Sequence, residues 1–186
     1  SGNYIDFGNL TGAKPWADGG CSSSTRGLFS SYGGGVGGAS NVIDYIEIQT
    51  IGNAVDFGDR SIIVAGGPGA LSSPTRAVFA GGYINASPLT DAAQSYMDFV
   101  TISSKGNAVK FGDLTHRRGA LGGCSNAVRG LFAGGSDWNS GDIGVMNVID
   151  YITIASTGNA IHFGELTVGR GFGGATSTQT RGLFGG

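Results

Sequence analysis

The sequence predicts an all-β repeat protein built from four-stranded antiparallel sheets, and three observations support that prediction. The dipeptide Gly-Asn recurs at Gly2, Gly52, Gly106 and Gly158, spaced 50, 54 and 52 residues apart. Between these positions lie short runs of alternating apolar and polar residues, and no stretch keeps a helical period for about twelve residues. Glycine makes up 37 of the 186 residues and punctuates the runs. A period near 50 residues is typical of repeat architectures.

The composition indicates a folded chain and argues against several classes of partner. The net charge is −2, only 13% of the residues are charged, and aromatic residues make up 10%. Disordered chains lack such regularly spaced aromatics, and nucleic-acid-binding proteins carry a basic patch that is missing here. No apolar run approaches the ~20 residues that span a bilayer. We therefore expect no nucleic acid partner and no membrane insertion. The absence of a starting Met and of a visible signal peptide is consistent with a processed or partial chain.

Each repeat contains four short strands, which the third repeat shows most clearly. There the strands are predicted over residues 119–125, 129–133, 148–155 and 160–163. The third strand alternates between its two faces with a period of two, as half-buried strands do. We treat residues 1–186 as a single repeat domain, with repeats of about 2–51, 52–105 and 106–157 and an incomplete one over 158–186.

The residues of the first and fourth strands favour a β-propeller. The first strand of each repeat holds small residues, such as Gly122 and Gly123, which suit a centre where backbones approach closely. The Gly158-Asn159 step is a two-residue hairpin signal joining the third and fourth strands. Antiparallel four-stranded sheets that radiate from a small-residue centre form the blades of a propeller. We count fifteen strands, or about 3.75 blades, since the chain starts on a fourth strand and ends after a second one.

That count leaves a four-bladed ring without one third strand. The apolar run at residues 181–184 would then lack a neighbour on one side, and the segment at residues 3–7 would lack its inner partner. Unpaired strand edges invite pairing with another chain. We expect the missing strand to come either from further chain after Gly186 or from a neighbouring molecule.

The repeat resembles the kelch repeat over the whole chain. The resemblance rests on a glycine doublet closing the second strand, the segment Ile149-Asp150-Tyr151, an aromatic residue on the fourth strand and an Arg near the link between blades. Kelch repeats carry Trp on the fourth strand where this chain has Phe57, Phe111 and Phe163. Residues 149–160 are also similar to the glycine-rich, kelch-like repeats of virion and tail-fibre proteins of marine tailed phages. That resemblance implies a kelch-like propeller and a virion or extracellular setting.

Positions that are identical among the repeats are interpreted as structural, because every repeat needs them to fold. One set is the Arg that opens each second strand: Arg26, Arg76, Arg129 and Arg181. Another is the Asp of each third strand: Asp44, Asp98 and Asp150. Partly buried charges need partners, so we expect these Asp residues to pair with those Arg residues or to cap a turn.

The two cysteines occupy equivalent places in the first and third repeats. Cys21 and Cys124 stand where the second repeat has Leu71. A position that is apolar in one repeat and Cys in another is typical of a buried free thiol. We therefore predict free cysteines in preference to a disulfide, and two cysteines cannot form a zinc site alone.

Positions that differ among the repeats are free to bind, and they cluster on one predicted face. In an up-and-down sheet, the loops from second to third strands lie beside the links from fourth to first strands. Flat aromatics beside Asp, Asn and Arg suit the apolar faces and hydroxyl rims of sugars. The alternative is that the two Trp residues merely cover the ends of the core. The candidate ligand-binding residues of this variable face are Trp16, Tyr32, Tyr83, His116, Arg117, Arg118, Asp137, Trp138, Asn139 and Asp142.

No pattern in the sequence indicates catalysis, a metal or a cofactor. Residues 33–38 and 169–174 fit the spacing G-x-G-x-x-G, but neither opens a helix, which dinucleotide binding requires. His116 and His162 have no ligand spacing to the cysteines. Asp137 and Asp142 could do acid–base work, although two acids in a surface loop are usually only solvated. We predict no catalytic residue, no metal ligand and no cofactor.

These observations favour a non-enzymatic structural or adhesion module of a virion. It would form part of a phage tail fibre or receptor-binding apparatus, with a host surface glycan or receptor, other virion proteins or further copies of itself as partners. One alternative is a purely structural repeat spacer or assembly protein. Another is a propeller-fold glycan-active enzyme. Fold alone cannot choose among these three.

Overall fold

A computed structural model describes residues 2–12, 19–30, 39–86, 90–137 and 144–186, with side chains omitted for residues 85, 86 and 90–92. Within these ranges all regular structure is β, and the larger sheets are four-stranded and antiparallel. The predicted all-β class and the four-stranded antiparallel repeat are therefore confirmed. The described residues form no helix of the length and apolarity needed to cross a bilayer.

Three four-stranded sheets follow one another along the chain, each pairing its strands in sequence order apart from inserted ribbons. The first contains β1 (Gly19–Ser22), β2 (Arg26–Ser30), β3 (Ser40–Glu47) and β4 (Val55–Val64). The second contains β5 (Gly69–Ser72), β6 (Arg76–Ala80), β9 (Tyr96–Thr101) and β10 (Val109–Asp113). The third contains β11 (Gly122–Ser125), β12 (Arg129–Ala133), β15 (Val148–Thr153) and β16 (Ile161–Glu165).

Three smaller two-stranded sheets complete the described structure. A last pair continues the series and consists of β17 (Gly174–Ser177) and β18 (Gly182–Gly185). Two ribbons are inserted between the second and third strands of a sheet: β7 (Tyr83–Ala86) with β8 (Thr90–Ala93), and β13 (Ser136–Asp137) with β14 (Gly144–Val145). The prediction had treated these two insertions as loops. Short-range sequence patterns missed them because their strands have two to four residues each.

The Phe-Gly dipeptide of each fourth strand forms a β-bulge. In each four-stranded sheet the register between third and fourth strands shifts beside the buried Asp, which leaves the Phe without an opposite residue. A bulge adds a residue and re-aims a side chain. The bulged aromatics stack edge-on against the third strand: Tyr45 with Phe57, Phe99 with Phe111 and Tyr151 with Phe163, at centroid distances of 5.7, 5.9 and 6.2 Å.

The hydrophobic core lies between successive sheets. One cluster joins Leu28 and Ile43 of the first sheet to Phe79 and Val100 of the second. A second cluster joins Val78 and other residues of the second sheet to residues of the third, Phe132 among them. The sequence predicts that Phe79, Phe132 and their equivalents in the other repeats are buried between sheets. Phe79 and Phe132 are fully buried, whereas the equivalent Phe29 and Phe184 are only half-buried. Full burial of such a ring contributes about 1.5–3 kcal/mol.

The first strands of successive sheets lie side by side. β1 contacts β5, β5 contacts β11, and β11 contacts β17. A Cβ at Gly123 would overlap the carbonyl oxygen of Ala70, so the small residues of these strands permit close backbone approach as predicted. Hydroxyls tie the row together, because Ser72, Ser125 and Ser177 each donate to the carbonyl of the equivalent Ser in the preceding sheet, at 2.6–2.7 Å. No contact of comparable extent joins β17 to β1 among the described residues.

The fourth strands are joined by a recurring set of hydrogen bonds, called here the Gly-Asn junction. At each junction the Gly N–H donates to the carbonyl of the Phe of the preceding repeat, at 2.8–3.0 Å. The N–H of the Ala that follows Gly-Asn donates to the carbonyl of the residue two positions after that Phe. The N–H of this acceptor residue donates in turn to the Oδ1 of the Asn in Gly-Asn. The three junctions are Phe7–Asn9 with Gly52–Ala54, Phe57–Asp59 with Gly106–Ala108, and Phe111–Asp113 with Gly158–Ala160.

The Gly of each Phe-Gly dipeptide is required by this junction. A Cβ at Gly8, Gly58 or Gly112 would overlap the carbonyl oxygen of the Gly-Asn glycine in the next repeat. Gly8 and Gly58 also have φ values of 146°, outside the range that most side chains adopt. The Phe-Gly and Gly-Asn dipeptides of the sequence are therefore two halves of one contact.

Each third strand carries a fully buried Asp, whose partners differ from those predicted. Asp98 accepts from Arg60 Nε at 3.0 Å, and Asp150 accepts from Arg118 Nη2 at 2.8 Å. A hydroxyl and its own backbone N–H bind each Asp as well: Thr11 on Asp44, Ser61 on Asp98 and Thr115 on Asp150. These hydroxyl residues follow the Phe of the preceding fourth strand by four positions. The expected pairing with the Arg of the second strands was wrong, since those Arg side chains reach in another direction.

The Arg residues of the second strands stack on aromatic rings of the third strands. Arg76 lies 4.5 Å from the ring centroid of Phe99, and Arg129 lies 4.9 Å from that of Tyr151. Arg26 covers Tyr45 at 5.0 Å and forms an ion pair with Glu47. Cation–π contacts of this kind are worth about 0.5–1 kcal/mol at exposed sites. The role of these Arg residues is structural, as predicted, but each one packs on an aromatic ring and does not pair with the Asp of the third strand.

Residues 2–12 make no strand ladder within the described chain. The segment is extended and contacts the first sheet through the carbonyls of Phe7 and Asn9. Tyr4 and Ile5 are exposed to 106% and 80% of their reference areas. The predicted fourth strand at residues 3–7 is therefore absent as a paired strand, because no third strand lies beside it in the described chain.

We expect Phe132→Ala to lower the free energy of unfolding by about 3–5 kcal/mol, because it opens a cavity between two sheets. Urea denaturation monitored by circular dichroism measures the loss. Phe163→Ala is the matched control, since the Phe163 side chain is 54% exposed. Equal losses in the two variants would contradict the assignment of the core.

Candidate functional site

The structure brings together the two kinds of variable segment that were predicted to share a face. Gly66, in the link before β5, forms a bridge with Tyr83 at the start of the β7–β8 ribbon. Gly119, in the link before β11, forms the same bridge with Ser136 at the start of the β13–β14 ribbon. Links from fourth to first strands therefore lie beside insertions from second to third strands. Variable segments on such a rigid base are a common location for binding residues.

Tyr83 is a structural anchor of this region and not an exposed ligand contact. Its side chain is 7% exposed and packs with Ala93 and Ala120. Its hydroxyl donates to the carbonyl of Ser136 at 3.1 Å and lies 2.6 Å from the Ser136 Oγ. Tyr83 thus joins the ribbon of the second repeat to that of the third. A Cβ at Gly119 would overlap the Tyr83 ring, so the glycine makes room for it.

Arg118 is also buried, which corrects its predicted place on the binding face. The side chain is fully buried and forms an ion pair with Asp150. It also donates to the carbonyls of Gly134, Val148 and Phe132 at 2.8, 2.7 and 3.3 Å. Burial lowers the pKa of the Arg118 guanidinium from its ordinary value, and the Asp150 carboxylate opposes that shift. Because its side chain is fully buried, Arg118 presents no surface to a ligand.

Three of the predicted residues remain accessible within the described chain. His116 and Arg117 are exposed in the link before β11, and the His116 Nδ1 lies 3.0 Å from the Thr115 hydroxyl. Asp137 is half-buried at the base of the β13–β14 ribbon. The Gly119–Ser136 bridge places the link beside that ribbon, so these side chains belong to one region. Imidazole, guanidinium and carboxylate groups there can donate to and accept from hydroxyl groups.

The other predicted residues lie outside the described residues. They are Trp16, Tyr32, Trp138, Asn139 and Asp142, which fall in residues 13–18, 31–38 and 138–143. Both tryptophans are among them, so the aromatic part of the predicted sugar site is not described. The described part of the face supplies its base and three polar side chains.

A cavity lies away from this face, between the third repeat and the β17–β18 pair. It measures about 300 Å³ and is lined by Cys124, Asn126, Arg129, Gln179 and Arg181, among others. At the equivalent place between earlier repeats, Arg26 donates to the carbonyl of Ile102, and Arg76 donates to those of Ile154 and Ala155. Those carbonyls lie one or two residues after the ends of the third strands β9 and β15. The cavity therefore corresponds to the volume that a following third strand occupies in the other repeats.

The cysteines are free, as predicted, and their environment does not suit a nucleophile. Cys124 is buried and Cys21 is half-buried against the core between the first two sheets. Desolvation raises the pKa of Cys21 to about 12 and that of Cys124 above its ordinary value. Because the thiolate is the reactive form, the raised pKa values disfavour reaction of both thiols near neutral pH. The described residues also include no group of three or more His, Cys, Asp or Glu side chains that could hold a metal ion.

No family model matches this chain, and no curated protein sequence is similar to it. Assignment of a function therefore depends on the residues and contacts described above. Among these, the sequence could have revealed Thr11, Ser61 and Thr115 as partners of the buried Asp residues, because their offset from the Phe is constant. Arg60 and Arg118 give no such signal, since they follow the Phe by three and seven positions respectively.

We expect Arg118→Ala to destabilise the protein by about 3–5 kcal/mol, because it leaves the Asp150 carboxylate buried without its cation. Arg117→Ala is a matched control one residue away, and its exposed side chain predicts a change within about 0.5 kcal/mol. Thermal unfolding of the two variants measures the difference. Similar melting temperatures would show that the buried ion pair does not stabilise the fold.

We expect both cysteines to resist alkylation by iodoacetamide at pH 8 in the native protein and to react once urea unfolds it. Their raised pKa values keep the thiols protonated in the fold. The associated stability is present below the ordinary thiol pKa and is lost as pH rises through the raised values. Mass spectrometry of alkylated samples counts the labels. Rapid labelling of either thiol in the folded protein would contradict the burial described here.

Proposed function

We propose that this chain is a non-enzymatic structural and adhesion module of a virion, located outside the cell. It would belong to a phage tail fibre or receptor-binding apparatus and contact a host surface glycan. The observation that carries the proposal is the division of the molecule into two parts. Junction contacts repeat from sheet to sheet, whereas sequence and length vary in the links and ribbons of one face.

The repeated contacts support a scaffold role. Every Gly-Asn junction uses the same backbone donors and acceptors, and every buried Asp accepts from a hydroxyl at the same offset. All of these groups form hydrogen bonds within the fold, so they are not accessible to a ligand. By contrast, His116 and Arg117 are exposed beside the base of a ribbon. Polar side chains on a variable, rigidly based surface suit hydroxyl-rich ligands.

We further infer that the sheets are blades of a kelch-like propeller. The described sheets form only part of its ring. First strands in a row at one edge, with small residues between them, support that arrangement. A four-bladed ring turns by about 90° at each junction. Here hydrogen bonds join successive sheets at the fourth strands as well as at the first strands. Sheets held together at both edges favour an angle between neighbours smaller than 90°, and hence more than four blades.

A structural spacer is the second candidate, and the regular junctions favour it as much as they favour adhesion. A spacer needs only the scaffold and no ligand on the variable face. A propeller-fold glycan-active enzyme is the third candidate. Only Asp137 of the carboxylates considered for that chemistry falls in the described chain, where it is half-buried.

Binding of the labelled chain to a bacterial surface-glycan array tests the proposal. We expect binding to at least one glycan, and a loss of at least tenfold, or about 1.4 kcal/mol, in a variant carrying His116→Ala and Arg117→Ala. His162→Ala is the control, because His162 is exposed on β16, outside the variable face.

Three results would exclude adhesion through this face. No binding to any glycan would favour the spacer. Equal binding by the double variant and the control would place the ligand elsewhere. Cleavage of the bound glycan during incubation, detected by mass spectrometry, would favour the enzyme.

A further inference from the structure

The link before β11 connects an exposed histidine to the buried carboxylate of the third sheet. Thr115 Oγ1 donates to Asp150 Oδ1 at 2.6 Å, and the Thr115 N–H donates to Asp150 Oδ2 at 3.1 Å. The same Oγ1 lies 3.0 Å from the Nδ1 of His116, whose side chain is exposed. Asp150 is fully buried and paired with Arg118, so it is a carboxylate and can only accept. Asp150, Thr115 and His116 therefore form one hydrogen-bonded chain from the core to the variable face.

This chain fixes which nitrogen of His116 carries the proton. A hydroxyl has a single proton, and Thr115 donates it to Asp150. Toward His116 the Thr115 oxygen can then only accept, so His116 Nδ1 is the donor. The neutral ring consequently has its proton on Nδ1 and its lone pair on Nε2. Among the described residues, Nε2 has no hydrogen-bond partner, so this acceptor faces outward from the fold.

The histidine is an addition to a contact that the other sheets make without one. The equivalent hydroxyls, Thr11 and Ser61, hold their buried Asp residues through the same two hydrogen bonds. The residues that follow them are Gly12 and Ile62. The fold thus requires the hydroxyl and does not require an imidazole after it. His116 belongs to the variable part of the repeat, although its anchor belongs to the constant part.

We propose that His116 determines specificity on the variable face by accepting, through Nε2, a hydrogen bond from a hydroxyl group of the ligand, and that Thr115 positions the ring. This inference rests on the proposed glycan function and names the chemistry that one part of the site recognises. A sugar hydroxyl can donate to Nε2, whereas an ionised carboxylate has no proton to donate and would face the lone pair. The exposed guanidinium of Arg117, next in the chain, offers donors to a neighbouring ligand oxygen.

Nuclear magnetic resonance of the protein labelled with nitrogen-15 in its histidines tests the tautomer without any ligand. At pH 8, where an ordinary histidine is neutral, we expect the long-range proton–nitrogen correlations of His116 to place the proton on Nδ1. His162, exposed on β16, is the internal reference. Thr115→Val should shift the His116 proton toward the distribution found for His162, and Thr115→Ser should keep the wild-type pattern. A wild-type His116 with its proton on Nε2 would overturn the proposal, whatever the protein binds.

The surface-glycan array tests the role of the anchor in binding. We expect Thr115→Val to weaken glycan binding by about threefold to tenfold, the range of one neutral hydrogen bond, and Thr115→Ser to bind like the wild type. Thr11→Val is the matched control, because it removes the equivalent hydroxyl in the first repeat, where a glycine follows. It should lower the melting temperature to a similar extent and leave glycan binding unchanged.

Mono-O-methylated derivatives of the bound glycan test the contact itself, because a methyl ether still accepts but no longer donates. One derivative should bind the wild type about threefold to tenfold more weakly than the parent glycan, and His116→Ala should not distinguish the two.

Two binding results would overturn the proposal and leave adhesion standing. One is equal glycan binding by Thr115→Val and Thr11→Val. The other is a set of O-methyl effects that is identical in the wild type and in His116→Ala. Absence of binding to any glycan would instead refute the proposed function, and with it the ligand contact of His116. The resonance experiment would then still decide whether Thr115 positions the ring.

Discussion

A buried carboxylate on each third strand is the interaction on which the repeats depend. Asp44, Asp98 and Asp150 are fully removed from water, so each must be compensated inside the fold. The compensation comes from the four to seven residues that follow the preceding Phe, through a hydroxyl, its backbone N–H and, in the second and third sheets, a buried Arg. The Asp therefore ties the middle of its own sheet to the end of the preceding fourth strand. These hydrogen bonds fix the position and direction of the link between the preceding fourth strand and the first strand of the sheet.

The spacing between sheets is set by backbone contacts at both edges. Small residues along the first strands allow direct approach there, and the Phe-Gly bulge allows it at the fourth strands. Side chains fill the space between, with Phe79 and Phe132 at the centre of two such layers. The high glycine content is thus a packing requirement of the junctions, and the low charge follows from how much of each sheet faces another sheet.

This arrangement separates a constant scaffold from a variable edge. In the second and third sheets, ribbons of different length are inserted between the second and third strands. A β-bridge joins the base of each ribbon to the link that precedes a first strand. The Tyr83 hydroxyl joins one ribbon to the next through Ser136. A surface built in this way can change its exposed residues without disturbing the core.

The sequence by itself determined the repeat period, the four strands of each repeat, the burial of Phe79 and Phe132 and the free state of the cysteines. These follow from local patterns, because alternation, turn residues and equivalence between repeats are all visible along the chain. Only the tertiary structure decided that Asp98 and Asp150 pair with Arg60 and Arg118, since those Arg residues occupy different offsets and are matched only in space. Tyr83 likewise reads as a surface aromatic in sequence, yet it is buried because the neighbouring repeat brings Ser136 against it. Contacts between repeats lie about fifty residues apart in the chain, and no local pattern encodes which side chain will fill the space between them.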